Sequence, residues 1–307
     1  MSGVNQIDES ILREMFAESK LAKLVKMADE GVRFPDDIPI DLIRERVAGL
    51  YMLRETCGSD AGWVLQKESN RVRTLYRNTS ASSHIHSIQL DGVVAAPVFT
   101  LLALFHEVDL FCRWLPTYSL LGLNFTRLIA HPSPTELLVH LNIDVPWPFT
   151  NRYCFFHCDG IDCMDDPNGA QIGVILTNLT SEKDFKVEDD GVKTTFHSPS
   201  GVLLTPLGGG MTQVQIVVNV DPQIPLVPDW LIDFAVRNLA HLIILQVRKA
   251  VEIVKNDAGY TRRMRDPKNK FYNHIKRRIR ESLPQESEYL PEDDSPHISS
   301  VFNTPTS

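Results

Sequence analysis

The chain has 307 residues, 43% of them hydrophobic and 23% charged, a balance that supports a substantial buried core. Its formal net charge of -8 argues against a general nucleic-acid binder, which is basic over its folded part. Residues 1–20 carry Asp8, Glu9, Glu14 and Glu18 without an apolar core of a signal, and the apolar stretch Val93–Phe105 is too short to span a bilayer. A cytoplasmic chain with its five cysteines reduced is therefore expected.

Residues 1–56 read as a helical extension. Ile11, Met15, Phe16, Leu21, Leu24 and Val25 recur near helical spacing, and a second helix is predicted over 41–55 beyond the breakers Gly31, Pro35 and Pro39. The pattern then turns to strands, near 63–68, 71–77, 84–91, 123–131, 135–145, 152–161, 170–179, 192–204 and 212–220. An apolar helix interrupts them at 97–105. The alternation is plainest in Leu137, Val139, Leu141 and Ile143, and again in Val214, Ile216, Val218 and Val220. Gly208-Gly209-Gly210 lacks the Lys-Ser/Thr of a phosphate loop and reads as the turn joining the last two strands. After Asp221-Pro222 a long amphipathic helix is predicted over 228–255, suited to cover the concave face of the sheet. Residues 256–307 read as a basic segment, Arg262 to Arg280, followed by a disordered acidic and Ser/Pro-rich tail.

The segments Asp144-Val145-Pro146-Trp147-Pro148-Phe149-Thr150-Asn151-Arg152 and Val218-Asn219-Val220-Asp221-Pro222-Gln223-Ile224-Pro225 resemble those of START domains, the steroidogenic-acute-regulatory-protein-related lipid transfer family. Tyr76-Arg77 and Trp114-Leu115-Pro116 fit the same pattern, and the resemblance covers 62–255. It implies an α+β helix-grip fold: a curved antiparallel sheet of about nine strands wrapped on a long C-terminal helix, around an internal hydrophobic cavity. It implies non-catalytic binding, and transfer between membranes, of a phospholipid, sterol or related lipid. A lipid-sensing regulator or scaffold is the alternative, and a cyclase- or aromatase-like enzyme of the wider superfamily comes after it. The strand from Arg152 lacks the inner arginine of the acid–arginine pair used by sterol-binding members, which puts a sterol ligand in doubt.

The candidate site follows from these elements. Trp147 and Phe149 are placed on a lid or membrane-touching loop. Arg152, Cys154, Phe156 and Cys158 are expected to face the cavity, with His140 and His157 as substitute polar anchors. Trp230, Leu231 and Phe234 begin the last helix and are expected at the ligand. Arg262, Arg263, Arg265, Lys276, Arg277 and Arg278 are read as a surface for anionic lipids, with a solvated charge run as the plainer alternative. The C-x3-C-x4-C spacing of Cys154, Cys158 and Cys163 is not that of a zinc knuckle, and Asp159, Asp162, Asp165 and Asp166 lack the EF-hand order. No metal, cofactor or nucleic acid is expected; the partners are a lipid and a transient membrane surface, and the oligomeric state is left open.

Overall fold

The computed structural model describes residues 17–32, 34, 40–78, 84–115, 122–145, 147, 149–167, 169–179, 191–223 and 240–292. Two helices open it, α1 (Glu18–Asp29) and α2 (Ile40–Cys57). The strands are β1 (Val64–Ser69), β2 (Val72–Asn78), β3 (His86–Val94), β4 (Gly122–Ser133), β5 (Glu136–Asp144), β6 (Arg152–Cys163), β7 (Gln171–Asn178), β8 (Val192–Lys193), β9 (Thr195–Gly208) and β10 (Met211–Asp221). Helix α3 (Val98–His106) and a 3-10 turn (Val108–Arg113) separate β3 from β4. Three helices follow the sheet: α4 (His241–Asn256), α5 (Ala258–Arg265) and α6 (Lys270–Ser282), then a 3-10 turn at Pro284–Tyr289.

The sheet order is β1-β2-β3-β10-β9-β7-β6-β5-β4, antiparallel along this path, with β8 lying parallel beside β6. Local chemistry sets the hairpins. Asn70 and Arg71 both take positive φ in the β1–β2 turn, and Gly208, Gly209 and Gly210 do so between β9 and β10. The glycine run is the turn expected from the sequence.

Helices α1 and α2 cover the convex face. Leu21, Leu24, Val47, Leu50 and Leu53 pack on Ile161, Ile175, Leu203 and Val217. The approach is close enough to require glycine. A Cβ at Gly173 would stand 2.6 Å from Leu50, and one at Gly201 would stand 2.3 Å from the Val174 carbonyl. Arg54 adds polar ties, to Glu18 at 3.0 Å and to Asp166 at 3.0 Å. The N-terminal helices are thus a layer built onto the sheet.

The concave face meets the remaining helices. Val72, Leu90, Ile172, Leu204, Val214 and Ile216 join Leu101 and Leu104 of α3 and Ile244, Val247 and Val251 of α4 in the largest cluster. The expected start of the long helix near Pro228 lies outside the described residues. Residues 258–289 correct the expectation of a basic run and loose tail. Tyr260, Met264, Phe271, Tyr272, Ile275, Ile279 and Leu283 all enter that same cluster. Within each helix these apolar positions gather on one side, while among the basic residues Lys276 is buried and Arg262 and Arg277 are exposed. Residues 293–307 are outside the described part.

Candidate functional site

The two faces of β5 and β6 differ in chemistry, because alternate residues of a strand point opposite ways. Leu137 and Val139 of β5 and Cys154 and Phe156 of β6 form a buried apolar cluster with Val108. Leu128, Leu141, Cys158, Leu176, Phe196 and Phe111 pack around it. The Phe156 and Phe196 rings meet edge to face, centroids 5.2 Å apart. The Thr126 hydroxyl donates to the Val108 carbonyl at 2.7 Å and so holds the 3-10 turn against this cluster. Burial pushes the Cys154 thiol up to about 12, and burial likewise raises Cys158. Both thiols therefore stay protonated at neutral pH.

The cluster has two distinct ends. At one, a cavity of about 50 Å³ lies among Leu102, Phe105, Leu137, Cys158, Phe271 and Ile275, with His106, Asp162 and His274 also in its wall. Helix α6 forms part of its wall. At the other end stands Arg152, 6% exposed. Its Nε donates to the Pro222 carbonyl at 2.5 Å and its Nη2 to the Gln223 carbonyl at 3.2 Å; Nη1 reaches the Thr150 carbonyl. Beside it runs the loop after β5. Asn151 fastens this loop, accepting from the Val145 amide at 3.2 Å and donating to Asp144 at 2.8 Å. Trp147 is 92% exposed and Phe149 is half-buried. Trp147 thus projects to solvent at the Arg152 end of the sheet.

The structure assembles Arg152, Cys154, Phe156 and Cys158 on one face, as the alternation predicts. It does not bring His140 or His157 to them, and both expectations are corrected. His140 is buried on the opposite face, stacked on Phe155 at 4.3 Å with Phe125 edge-on at 4.9 Å. His157 Nδ1 lies 3.0 Å from Glu136, in an ionic chain in which Arg46 of α2 contacts Glu136 at 2.8 Å and Asp159 at 2.7 Å. Burial pushes the Asp159 carboxyl up to about 7, with Glu136 adding to the rise and Arg46 opposing it. Trp230, Leu231 and Phe234 lie outside the described residues.

The basic residues expected on a membrane surface are mostly engaged within the fold. Arg263 pairs with Glu107 and with Asp109, the latter at 2.7 Å. Arg278 reaches Asp162 at 2.5 Å and Asp165 at 2.6 Å. Lys276 is buried, Arg265 is half-buried, and Arg262 and Arg277 are exposed. Arg263 and Arg278 thus anchor α5 and α6 to neighbouring elements. Sequence reasoning missed Glu107, a buried acid that accepts from the Tyr272 hydroxyl at 2.6 Å as well as from Arg263. It also missed Phe271 and Ile275 as cavity walls. Their i, i+4 spacing was the available signal.

Comparison with solved structures places this fold. Human STARD10 superposes with a TM-score of 0.56 at 18% identity, over 75% of this chain and 86% of that one. Human StAR-related lipid transfer protein 5 gives 0.55 at 15% identity, over 69% and 97%. No protein-family model and no curated protein sequence matches the chain. The chain has the helix-grip fold of START domains, as the two Pro-containing segments imply. No helix among the described residues is long and apolar enough to cross a membrane.

Proposed function

We propose that this chain binds one lipid in its interior and carries it between membranes, without chemical change to the lipid. The observation that carries this reading is the inward face of β5–β7. From Cys154 to Cys158, with Leu137, Val139, Leu141 and Leu176 beside them, it offers apolar carbon and two protonated thiols. Such a face removes hydrocarbon from water at about 25 cal/mol per Å². At the adjoining cavity, burial lowers both His106 and His274 and so disfavours their protonated forms. The human StAR-related lipid transfer protein 5, which has the same fold, supports the same reading.

The cavity of about 50 Å³ is far below the roughly 300 Å³ at which small-molecule sites begin. Lipid uptake therefore requires the walls to part. The exposed Trp147 supports a membrane as the place where this happens, since tryptophan favours the water–hydrocarbon interface. The test is transfer of fluorescent phospholipid from donor to acceptor vesicles, with lipid extracted from the re-isolated protein. Transfer above the protein-free rate, with intact lipid recovered from the protein, supports the proposal. Absence of protein-bound lipid refutes it, and recovery of a chemically altered lipid turns it toward an enzyme.

A further inference from the structure

Arg152 is the one arginine among the described residues that falls in the fully buried class. Half-buried Arg248 also donates to main-chain carbonyls, those of Asn70, Arg71 and Val93, whereas the arginines of the ion-pair networks differ. Arg46, Arg54, Arg263 and Arg278 each meet two or more carboxylates. Among the described residues, Arg152 meets only main-chain carbonyls: Pro222, Gln223, Thr150 and, at 3.5 Å, Asn151. The nearest acid in sequence on β10, Asp221, is turned to the backbone and side chain of Gln223 instead. Carbonyl dipoles satisfy the N–H groups of a guanidinium, but they do not cancel its charge. A buried net charge is costly unless an opposite charge joins it. Burial accordingly pulls the Arg152 guanidinium below its usual value, with no carboxylate acting against that pull.

The position of this charge is as informative as its isolation. Arg152 shares its strand face with Cys154, Phe156 and Cys158. From Arg152 to Cys158 the strand rises about 20 Å at roughly 3.3 Å per residue, somewhat more than the hydrocarbon depth of one bilayer leaflet, about 15 Å. A cation thus stands at one end of an apolar track, the cavity lies at the other, and the exposed Trp147 marks the cation's end.

We propose that Arg152 is the headgroup receptor of the lipid site, and that the ligand is a lipid with an anionic head, phosphate or carboxylate. This inference rests on the lipid-binding reading above and deepens it. The anion supplies the charge that the carbonyls lack, through charge-assisted hydrogen bonds from the guanidinium. The acyl chain lies along Phe156 and Cys158 toward the cavity. Arg152 is then a specificity residue: it decides which lipid is taken, while the apolar face decides that a lipid is taken at all.

The test uses the full chain and vesicles of phosphatidylcholine doped with either phosphatidic acid or oleic acid, with protein-bound lipid identified by native mass spectrometry. The wild-type protein should enrich at least one anionic species over phosphatidylcholine by about tenfold, the equivalent of about 1.4 kcal/mol, and the two arms tell phosphate from carboxylate. Arg152→Gln should lose that enrichment while still taking up phosphatidylcholine, and Arg152→Lys should retain part of it. Should Arg152→Gln not fold, the wild-type preference and the Arg152→Lys result decide the matter. Wild-type protein that binds phosphatidylcholine as readily as either anionic lipid overturns the proposal, as does an Arg152→Gln protein that keeps the preference. Wild-type protein that takes up no lipid from any vesicle overturns the lipid-binding reading itself.

Discussion

Phe156→Ala puts the inward face to its strictest test. Phe156 is 6% exposed, meets Phe196 edge to face, and sits between Cys154 and Cys158 on the inward side of β6. Truncating a buried phenylalanine to alanine removes its transfer free energy and leaves a void, together about 3–5 kcal/mol. At about 2 °C per kcal/mol in a chain of this size, the thermal midpoint should fall by about 6–10 °C. If the void opens onto the lipid track, hydrocarbon can refill it. Lipid at a hundredfold excess over its dissociation constant should then restore about 2.7 kcal/mol of the loss. Thermal unfolding followed by circular dichroism, with and without a short-chain phospholipid, measures both terms. A loss under about 1 kcal/mol would show that the ring is not packed as described. A full loss with no restoration by lipid, in either variant or wild type, would refute the assignment of this face to a ligand.

Three further outcomes follow from the same geometry. Replacing Trp147 and Phe149 together by alanine should slow vesicle-to-vesicle transfer several-fold while moving the thermal midpoint little, because Trp147 touches almost nothing in the fold; unchanged transfer would detach this loop from membrane docking. Arg278→Ala should cost about 3 kcal/mol in chemical denaturation, since it strands the buried Asp162, whereas loss of the exposed Asp165 contact adds little; a cost below about 1 kcal/mol would mean that α6 is not anchored there. Asp159 titrates near 7 in the fold but near 4 in an unfolded chain, so the fold prefers its protonated form, and the stability that this lends at low pH is lost as the pH climbs through about 7. Asp159→Asn removes that dependence, so its thermal midpoint relative to wild type should rise between pH 5 and pH 8, and a constant difference across that range would contradict the buried, disfavoured carboxylate.

Much of the site was legible because strand alternation is a local property. Once β6 begins at Arg152, the period of two places Cys154, Phe156 and Cys158 on one side and Phe155 and His157 on the other. The same rule sends His140 away from Leu137 and Val139, yet it does not say which side is the ligand's. The choice of His140 and His157 as anchors failed at that step. An aromatic stack around Phe155 and an ion pair reaching across from α2 account for both residues, and neither partner is near them in sequence. The basic run failed for a related reason. Its charges dominate the composition of 258–282, while its apolar stripe appears only when the residues are wound on a helix.

The sequence by itself determined nine of the ten strands, the glycine turn after β9, the START-like order of elements and which residues share a face of β6, because each depends on short-range periodicity or on motifs a few residues long; the two-residue β8 was read as part of β9. Only the tertiary structure decided the partners of the charged groups. It brought Arg263 to Glu107, Arg278 to Asp162 and Arg46 to Asp159, and among the described residues it gave Arg152 main-chain carbonyls as its partners. Ion pairing depends on which strands and helices meet in space, and no local pattern encodes that. The inferred choice of an anionic lipid therefore hangs on a residue whose position was readable from the sequence and whose missing counter-charge was not.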